Sequence, residues 1–234
     1  SALIDSTGGQ TFKSVVTGPL GFAVEAEWGV MGDGQTAVIE MAQASGLVLV
    51  PPKRRNPLNT TTRGTGQIIK EALDKGYSRI IVGLGGSATN DGGAGMASAL
   101  GVQFLDRDGK IVSDGGAALS ELAHIDLATI HPGLKSAEII GATDVTNPLC
   151  GPTGASAVYG PQKGANTEII NRLDSALVHL ADIIKSDIGM DVSDKPGSGA
   201  AGGLGAGLLA FANAELRSGI DMVCDVLEFE KHVN

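Results

Sequence analysis

The chain has 234 residues, of which 42% are hydrophobic and only 3% are aromatic, and its formal net charge is −9. This length and hydrophobic content suffice for one large core or two modest ones, whereas the acidic balance argues against nucleic acid or an anionic membrane as a partner, since both attract clustered basic residues. Two widely separated cysteines, no signal peptide and no apolar run close to the roughly 20 residues of a membrane span predict a cytoplasmic protein.

The first predicted elements form a β-meander over about residues 11–41. Its apolar strands are separated by residues 18–21 (GPLG) and 32–34 (GDG), both of which are typical turn sequences. A proline-rich connector follows at about 51–57. A helix is then predicted from about Thr65 to Lys75, where a glycine ends it.

From about residue 60 to residue 234 the pattern alternates strands with helices. This alternation predicts an α/β fold, a layered sheet with flanking helices and mixed strands, to which the meander is joined. The predicted elements are a strand from Ile80, a hairpin of residues 102–105 with 110–112, a strand over Ile139–Ala142, and helices over about Thr167–Asp187, Leu204–Leu216 and Ile220–Val233.

The most informative stretch is residues 80–93, where an apolar β-branched run breaks into paired glycines, small hydroxyl residues and an Asn-Asp step. A strand, a glycine-rich loop and a helix start, in that order, present backbone N–H groups that suit a phosphate or carboxylate. The alternative is that the glycines only make a tight turn. The predicted anion-binding residues are Gly85, Gly86, Ser87, Thr89, Asn90, Gly92 and Gly93.

Two aspartates, Asp91 and Asp144, each follow an apolar strand of similar length. The carboxyl ends of parallel strands meet at one edge of a sheet, so we expect both side chains on that edge. A carboxylate there can bind magnesium or accept the proton of a hydroxyl group. Both are therefore candidate catalytic residues and magnesium ligands, with helix capping as the competing role for Asp91.

Three basic residues lie beside glycine-rich or threonine-rich turns. Lys163 is flanked by glycines and is a candidate catalytic cation for a phosphate or carboxylate. Arg55 and Arg63 bracket a threonine-rich loop, where a guanidinium can hold a substrate carboxylate through two hydrogen bonds. A solvated surface side chain is the alternative for each.

A second glycine-rich loop, residues 197–202, satisfies the dinucleotide fingerprint. The preceding residues are polar and end in Pro196, so no strand enters the loop as the fingerprint requires, and we expect no nicotinamide cofactor. Gly202 and Gly203 remain candidates for the same substrate site, with close helix packing as the alternative. Residues 83–88 also imitate the phosphate loop of the galactokinase-like kinases, with an extra glycine where their first serine falls.

The segment Gly83–Met96, GLGGSATNDGGAGM, closely resembles the hallmark of the bacterial class I glycerate kinases. Further segments match the same family in the same order and extend over nearly the whole chain. They are residues 17–21 (TGPLG), 55–62 (RNPLNTTT), 64–66 (GTG), 143–149 (TDVTNPL), 160–164 (GPQKG) and 199–205 (GAAGGLG).

This resemblance implies a two-domain kinase that phosphorylates D-glycerate with ATP and magnesium, with 2-phosphoglycerate as the expected product. It adds Thr65 and Asn147 to the candidate substrate-binding residues. It also implies that the chain is the larger central portion of such a kinase, without the flanking segments of the other domain, so that its own activity is open. Two alternatives are a non-catalytic phosphate- or substrate-binding domain and a small-molecule kinase of the galactokinase-like class.

Overall fold

The computed structural model of the protein describes residues 2–226. The elements are α1 (Ala2–Ser6), β1 (Gln10–Thr17), β2 (Ala23–Val30), β3 (Thr36–Glu40), α2 (Met41–Ser45), α3 (Arg63–Asp74), β4 (Arg79–Gly83), α4 (Ala94–Ala99), β5 (Gln103–Leu105), β6 (His124–Asp126), β7 (Glu138–Ala142), α5 (Ala155–Tyr159), α6 (Thr167–Ile188), α7 (Ala200–Ala212), β8 (Glu215–Arg217) and α8 (Gly219–Val226). Short 3-10 helices lie at Leu47–Leu49, Pro52–Arg54, Gly116–Glu121, Pro132–Lys135 and Pro161–Lys163. Within this described part of the chain, every helix is too short or too polar to span a bilayer.

A six-stranded sheet with the order β1-β2-β3-β4-β7-β8 forms the centre of the fold. The first three strands are antiparallel neighbours, which confirms the predicted meander, and β3, β4, β7 and β8 run parallel. In the register of the sheet, Gly83 pairs with Glu40 on one side and with Ala142 on the other. The carboxyl ends of three strands therefore meet at one place on the edge of the sheet, and the predicted α/β class is confirmed.

The two faces of the sheet are covered differently. Along β4, Ile80 and Val82 belong to the large core formed with α3, α4 and α7, whereas Ile81 belongs to a small cluster on the opposite face, as the alternation of side chains along a strand requires. A second core lies between α6, α7 and the small β5–β6 sheet.

The amphipathic pattern predicted α6 to within one residue. The first turn of α6 is capped by the Asn166 side chain, which accepts a hydrogen bond from the Ile169 N–H at 2.9 Å.

Two predicted elements differ from the structure. β5 pairs with β6, and the predicted hairpin with residues 110–112 is shorter than expected: it has one antiparallel bridge, between Leu105 and Ile111, beside which the Val112 N–H donates to the Phe104 carbonyl at 2.8 Å. The helix predicted over Leu204–Leu216 ends at Ala212, because Asn213 adopts a left-handed conformation, and β8 follows. The last predicted helix is described up to Val226, and its remainder lies outside the described residues.

The start of α7 packs directly on the backbone of the loop that follows β4. Ala201, Gly202 and Gly203 are consecutive left-handed residues, with φ of 53°, 72° and 90°. A Cβ atom at Gly202 would lie 1.9 Å from the Thr89 carbonyl oxygen, and one at Gly203 would lie 2.8 Å from Gly92 Cα. This geometry corresponds to the close-packing alternative for Gly202 and Gly203.

We expect the Gly202→Ala substitution to lower the free energy of unfolding by about 2–5 kcal/mol, from left-handed strain and overlap with the Thr89 carbonyl. Gly109 is the matched control, because its φ is 76° and a Cβ there meets nothing within 4 Å. Gly109→Ala should cost only about 1–2 kcal/mol. Urea unfolding of both variants measures the difference, and equal losses would contradict the packing argument.

Candidate functional site

A cavity of about 300 Å³ lies at the carboxyl ends of β4 and β7. It is lined by the loop after β4 and by the segment after β7. Single residues of α5, of the 3-10 helix that follows α5, and of the start of α7 complete the lining. The lining residues are Leu84, Gly85, Gly86, Ser87, Ala142, Thr143, Asp144, Val145, Tyr159, Gln162 and Ala201. The predicted location of the site, at the end of the strand from Ile80, agrees with this cavity.

A second cavity of about 450 Å³ shares several of these lining residues, among them Gly85 and Asp144. It also includes Glu40, at the end of β3. A Cβ atom at Gly83 would lie 2.6 Å from Glu40 Oε2, so the Glu40 carboxylate lies against the backbone of the neighbouring strand. The two cavities therefore bring the carboxylates of Glu40 and Asp144 to the same edge of the sheet.

The first residues of the glycine-rich loop form an accessible backbone surface. Gly85 and Gly86 are exposed, and Gly86 has a φ of 67°. The carbonyl of Gly86 accepts a hydrogen bond from the Leu47 N–H at 2.8 Å, which fixes this end of the loop to the segment after α2. Among the described residues, no acceptor is found for the N–H groups of Gly85, Gly86 or Ser87. Gly85 and Gly86 therefore stay candidates for the predicted anion site, whereas Ser87 is only 6% exposed.

The rest of the loop is buried, so the expectation of free N–H groups along its whole length is wrong. Residues 88–93 are all buried under neighbouring segments. The Gly92 N–H donates to the Gly202 carbonyl at 3.1 Å, and the Gly93 N–H donates to the Asp91 carboxylate at 3.2 Å. Four of the predicted anion-binding residues therefore lie outside both cavities: Thr89, Asn90, Gly92 and Gly93.

Asp91 is completely buried and ties two helix starts together. Its Oδ2 accepts hydrogen bonds from the Thr62 N–H at 2.8 Å, the Thr62 hydroxyl at 2.9 Å and the Gly95 N–H at 3.3 Å, while Oδ1 accepts from Gly93. Burial raises the pKa of this carboxyl, and the hydrogen bonds oppose that rise. Thr62 precedes α3 and Gly93 precedes α4, so this placement agrees with the helix-capping alternative and puts Asp91 away from both cavities.

Asp144, in contrast, is exposed and lines both cavities. Its Oδ1 accepts hydrogen bonds from the Gly219 N–H at 2.9 Å and the Ser218 hydroxyl at 3.2 Å, at the start of α8. Within residues 2–226, no donor is found for its Oδ2. The strands before Asp91 and Asp144 are adjacent and parallel as predicted, but only Asp144 reaches the cavity.

Lys163 is 1% exposed and lies outside the cavity, although its neighbour Gln162 lines it. Its Nζ donates a hydrogen bond to the Thr89 carbonyl at 2.6 Å. Burial lowers the pKa of this lysine to about 7, and the charge of Asp91 acts in the opposite direction. Lys163 is therefore an internal donor rather than a cation open to a ligand.

The two predicted arginines are placed differently from expectation. Arg63 forms a bidentate pair with Asp114, with Nε to Oδ2 at 2.6 Å and Nη2 to Oδ1 at 2.7 Å, so one edge of its guanidinium is occupied. Arg55 Nη1 donates to the Gln162 carbonyl at 3.4 Å. Neither arginine lines either of the two cavities, but Arg55 contacts Gln162, which lines the smaller one.

Thr65 and Asn147 also lie outside both cavities. The Thr65 hydroxyl is buried and bonded to the Ser45 hydroxyl at 2.9 Å. Asn147 accepts a hydrogen bond from the Tyr159 hydroxyl at 2.7 Å and donates to the Thr153 carbonyl at 2.8 Å. Asn147 thus holds the cavity residue Tyr159 in place and does not itself face the cavity.

Among the cavity residues outside the predicted set are Glu40, Tyr159, Gln162 and Ala201. For Glu40 a signal existed, because it follows the apolar run 37–39 just as Asp144 follows its own strand. Ala201 has a φ of 53°, a strained backbone conformation for a residue with a Cβ, and such strain concentrates at functional sites. Gln162 lies in the segment 160–164 that contributes to the family resemblance, whereas no local pattern marks Tyr159, which reaches the cavity through tertiary packing.

Within residues 2–226, no group of three or more His, Cys, Asp or Glu side chains is arranged to bind a metal ion. Mg²⁺ commonly uses only one or two carboxylates, together with waters and substrate phosphates. The exposed carboxylates of Glu40 and Asp144 are donors of the right chemistry for such a shared ion. The pair predicted from the sequence, Asp91 with Asp144, is not brought together at a cavity.

Comparison with known proteins assigns this chain to a protein family. The family model described as "Glycerate kinase family" matches residues 1–234. The chain belongs to the glycerate kinase family. The resemblance predicted from Gly83–Met96 is therefore confirmed over the whole chain.

Individual members of the glycerate kinase family are close to this chain. It is 53% identical to the glycerate 2-kinase of Escherichia coli (strain K12) over 100% of this chain, and 53% identical to the glycerate kinase of Bacillus subtilis (strain 168) over 99% of it. A crystal structure from Salmonella typhimurium LT2, assigned as glycerate kinase 2, matches with a TM-score of 0.96 and 52% identity over 98% of this chain. The chain spans 61% of each curated relative and 62% of the crystallised protein.

We expect Asp91→Asn to lower the free energy of unfolding by about 1–3 kcal/mol, because an amide NH₂ would face hydrogen-bond donors that now meet a carboxylate oxygen. Asp144→Asn is the matched control: it also caps a helix start, but it is exposed, and Asn caps about as well as Asp. Its effect should stay within about 0.5 kcal/mol. Chemical denaturation of both variants measures the difference, and an unchanged stability in Asp91→Asn would contradict the structural role.

Proposed function

We propose that this chain is the larger part of a kinase that transfers the γ-phosphoryl group of ATP to D-glycerate and forms 2-phosphoglycerate. The observation that carries the proposal is the cavity at the ends of β4 and β7, where glycine backbone and a carboxylate meet. The choice of substrate and product is supported by the 53% identity to a protein named glycerate 2-kinase.

Phosphoryl transfer depends mainly on positioning and on stabilising charge. Gly85 and Gly86 supply exposed backbone N–H groups, without side chains that would keep phosphate oxygens at a distance. Among the described residues that line the smaller cavity, Asp144 is the only charged one. Backbone donors rather than lysine or arginine therefore provide the proposed phosphate contacts on this part of the chain.

Asp144 and Glu40 are the residues proposed to hold magnesium. When bound, magnesium would neutralise part of the negative charge of the nucleotide phosphates. Asp144 keeps one oxygen engaged with the start of α8, which orients the carboxylate toward a fixed position. Of these two carboxylates, the one that does not hold magnesium is the proposed acceptor for the proton of the glycerate hydroxyl, in place of the buried Asp91.

We also propose that the protein works in the cytoplasm. Cys150 is a free thiol in the structure, and burial raises its pKa to about 12, so it is a structural rather than a reactive cysteine. Such a thiol, in a chain with only two cysteines, is typical of a reducing compartment.

A coupled assay of ADP release with ATP, Mg²⁺ and D-glycerate tests the proposal, with the E. coli glycerate 2-kinase as the positive control for the assay. We expect ADP release that requires D-glycerate and a product identified as 2-phosphoglycerate. Binding of Mg²⁺-ADP without turnover would favour the alternative of a non-catalytic phosphate-binding domain. Turnover with galactose-like sugars and none with glycerate would contradict the proposed substrate.

We expect Asp144→Asn and Glu40→Gln each to weaken Mg²⁺-dependent binding of ADP by about ten-fold or more, because each removes a proposed ligand charge. Glu27→Gln is the matched control, since Glu27 is an exposed carboxylate on β2 that lines neither cavity. Isothermal titration calorimetry with and without Mg²⁺ measures the effect. An unchanged affinity in both variants would remove this edge of the sheet as the magnesium site.

A further inference from the structure

The buried Lys163 connects two of the chain segments that line the smaller cavity. It directly follows the lining residue Gln162, and its Nζ donates to the carbonyl of Thr89, two residues after the lining residue Ser87. The hydrogen bond is 2.6 Å long, and both residues are almost completely buried. This contact links the glycine-rich loop to the turn after α5, and the Asn90 Nδ2 atom, which donates to the Ser156 hydroxyl at 2.9 Å, links the same loop to α5 itself.

The other side of the same turn is held by Arg55. A Cβ atom at Gly164 would lie 2.6 Å from the Arg55 carbonyl oxygen, and Arg55 Nη1 donates to the Gln162 carbonyl at 3.4 Å. The turn that carries Gln162 is therefore fixed to the connector by Arg55 and to the glycine-rich loop by Lys163. Loss of the lysine contact leaves the first attachment and removes the one that faces the loop.

The polar atoms beside this contact are not fully satisfied. Thr89 Oγ1 and Asn90 Oδ1 are buried and have no hydrogen-bond partner among the described residues. Buried polar atoms without partners cost stability, so a native structure that keeps them next to a cavity requires an explanation. Both atoms lie at or next to the residue whose carbonyl Lys163 contacts, so this part of the loop is not arranged for stability alone.

We propose that Lys163 is a positioning residue for the nucleotide phosphates: through its hydrogen bond to the Thr89 carbonyl it sets the position of the Gly85–Ser87 backbone relative to Tyr159 and Gln162. The identity of the ligand in this inference rests on the proposed function. The hydrogen bond between Lys163 and Thr89 does not depend on that function. Lys163 does not touch the ligand, and it acts through the loop.

The contact is also sensitive to pH. Because burial lowers the pKa of Lys163 to about 7, the ammonium donates the hydrogen bond below that pH and a neutral amine, a weaker donor, replaces it above. The charged groups on the segments that face this lysine are Asp91 in the loop, which opposes the lowering, and Arg55 in the connector. The loop should therefore change its position with a midpoint near pH 7.

A titration of the amide signals of Gly85 and Gly86 by nuclear magnetic resonance, between pH 5.5 and 9, tests this directly and needs no ligand. We expect both signals to shift with a midpoint near pH 7 in the wild type and in the control Lys185→Met, whose lysine is an exposed residue of α6 paired with Asp191. The shift should vanish in Lys163→Met. No shift in the wild type, or the same midpoint in Lys163→Met, would overturn the proposal.

Binding of Mg²⁺-ADP supplies the second measurement. At pH 6 we expect Lys163→Met to bind about ten-fold more weakly than the wild type, the equivalent of one charge-assisted hydrogen bond. The difference should shrink at pH 9, where the wild-type lysine is neutral. If the wild type does not bind Mg²⁺-ADP at all, the proposed function fails, while the amide titration still decides the role of Lys163.

Stability has the opposite pH dependence, which separates positioning from a purely structural role. The lysine has a pKa of 10.5 in the unfolded chain and about 7 in the folded one, so the unfolded chain binds more protons between these values. The free energy of unfolding of the wild type, relative to Lys163→Met, therefore rises with pH above 7, whereas the affinity advantage falls. A change in stability alone, with equal affinity for Mg²⁺-ADP in both proteins at pH 6, would mean that Lys163 only supports the fold.

Discussion

The burial of one carboxylate determines how the chain is arranged around the glycine-rich loop. Asp91 accepts hydrogen bonds at the starts of both α3 and α4, where unpaired N–H groups create a partial positive charge. The Thr62 hydroxyl extends this network, because it donates to Asp91 and accepts from the Met96 N–H at 2.9 Å. Since both helices pack on the same face of the sheet, this carboxylate also fixes the path of the loop between β4 and α4.

With its middle fixed inside the protein, the loop can expose only its beginning. Residues 88–93 lie under α6 and α7, and the left-handed start of α7 is in contact with the loop backbone. Gly85–Ser87 therefore emerge at the carboxyl end of β4 on a rigid support, which would suit the proposed phosphate site. Lys163 joins this support to the turn after α5, where the next cavity-lining residues lie.

The elements with a clear local signal were predicted well, and those that depend on distant partners were not. The turn sequences of the meander and the apolar face of α6 are visible within short windows, so both predictions hold. The end of α7 was missed because the decisive feature is the left-handed backbone of Asn213, which allows β8 to pair with β7. β5 forms its strand pairing with β6, which lies about 14 residues beyond the predicted hairpin partner, residues 110–112.

The sequence by itself determined the α/β class, the family, the glycine-rich loop after β4 and the delivery of an acidic residue at the end of β7. It did not distinguish Asp91 from Asp144, because both come after an apolar strand and the sequence does not show which of them other segments cover. Only the tertiary structure decided that α3, α4 and α7 bury the first, while the second remains at the cavity beside Glu40. Only the tertiary structure likewise shows that Lys163, predicted as a candidate catalytic cation, is a buried hydrogen-bond donor. Burial depends on which distant segments pack over a residue, and no short stretch of sequence encodes that.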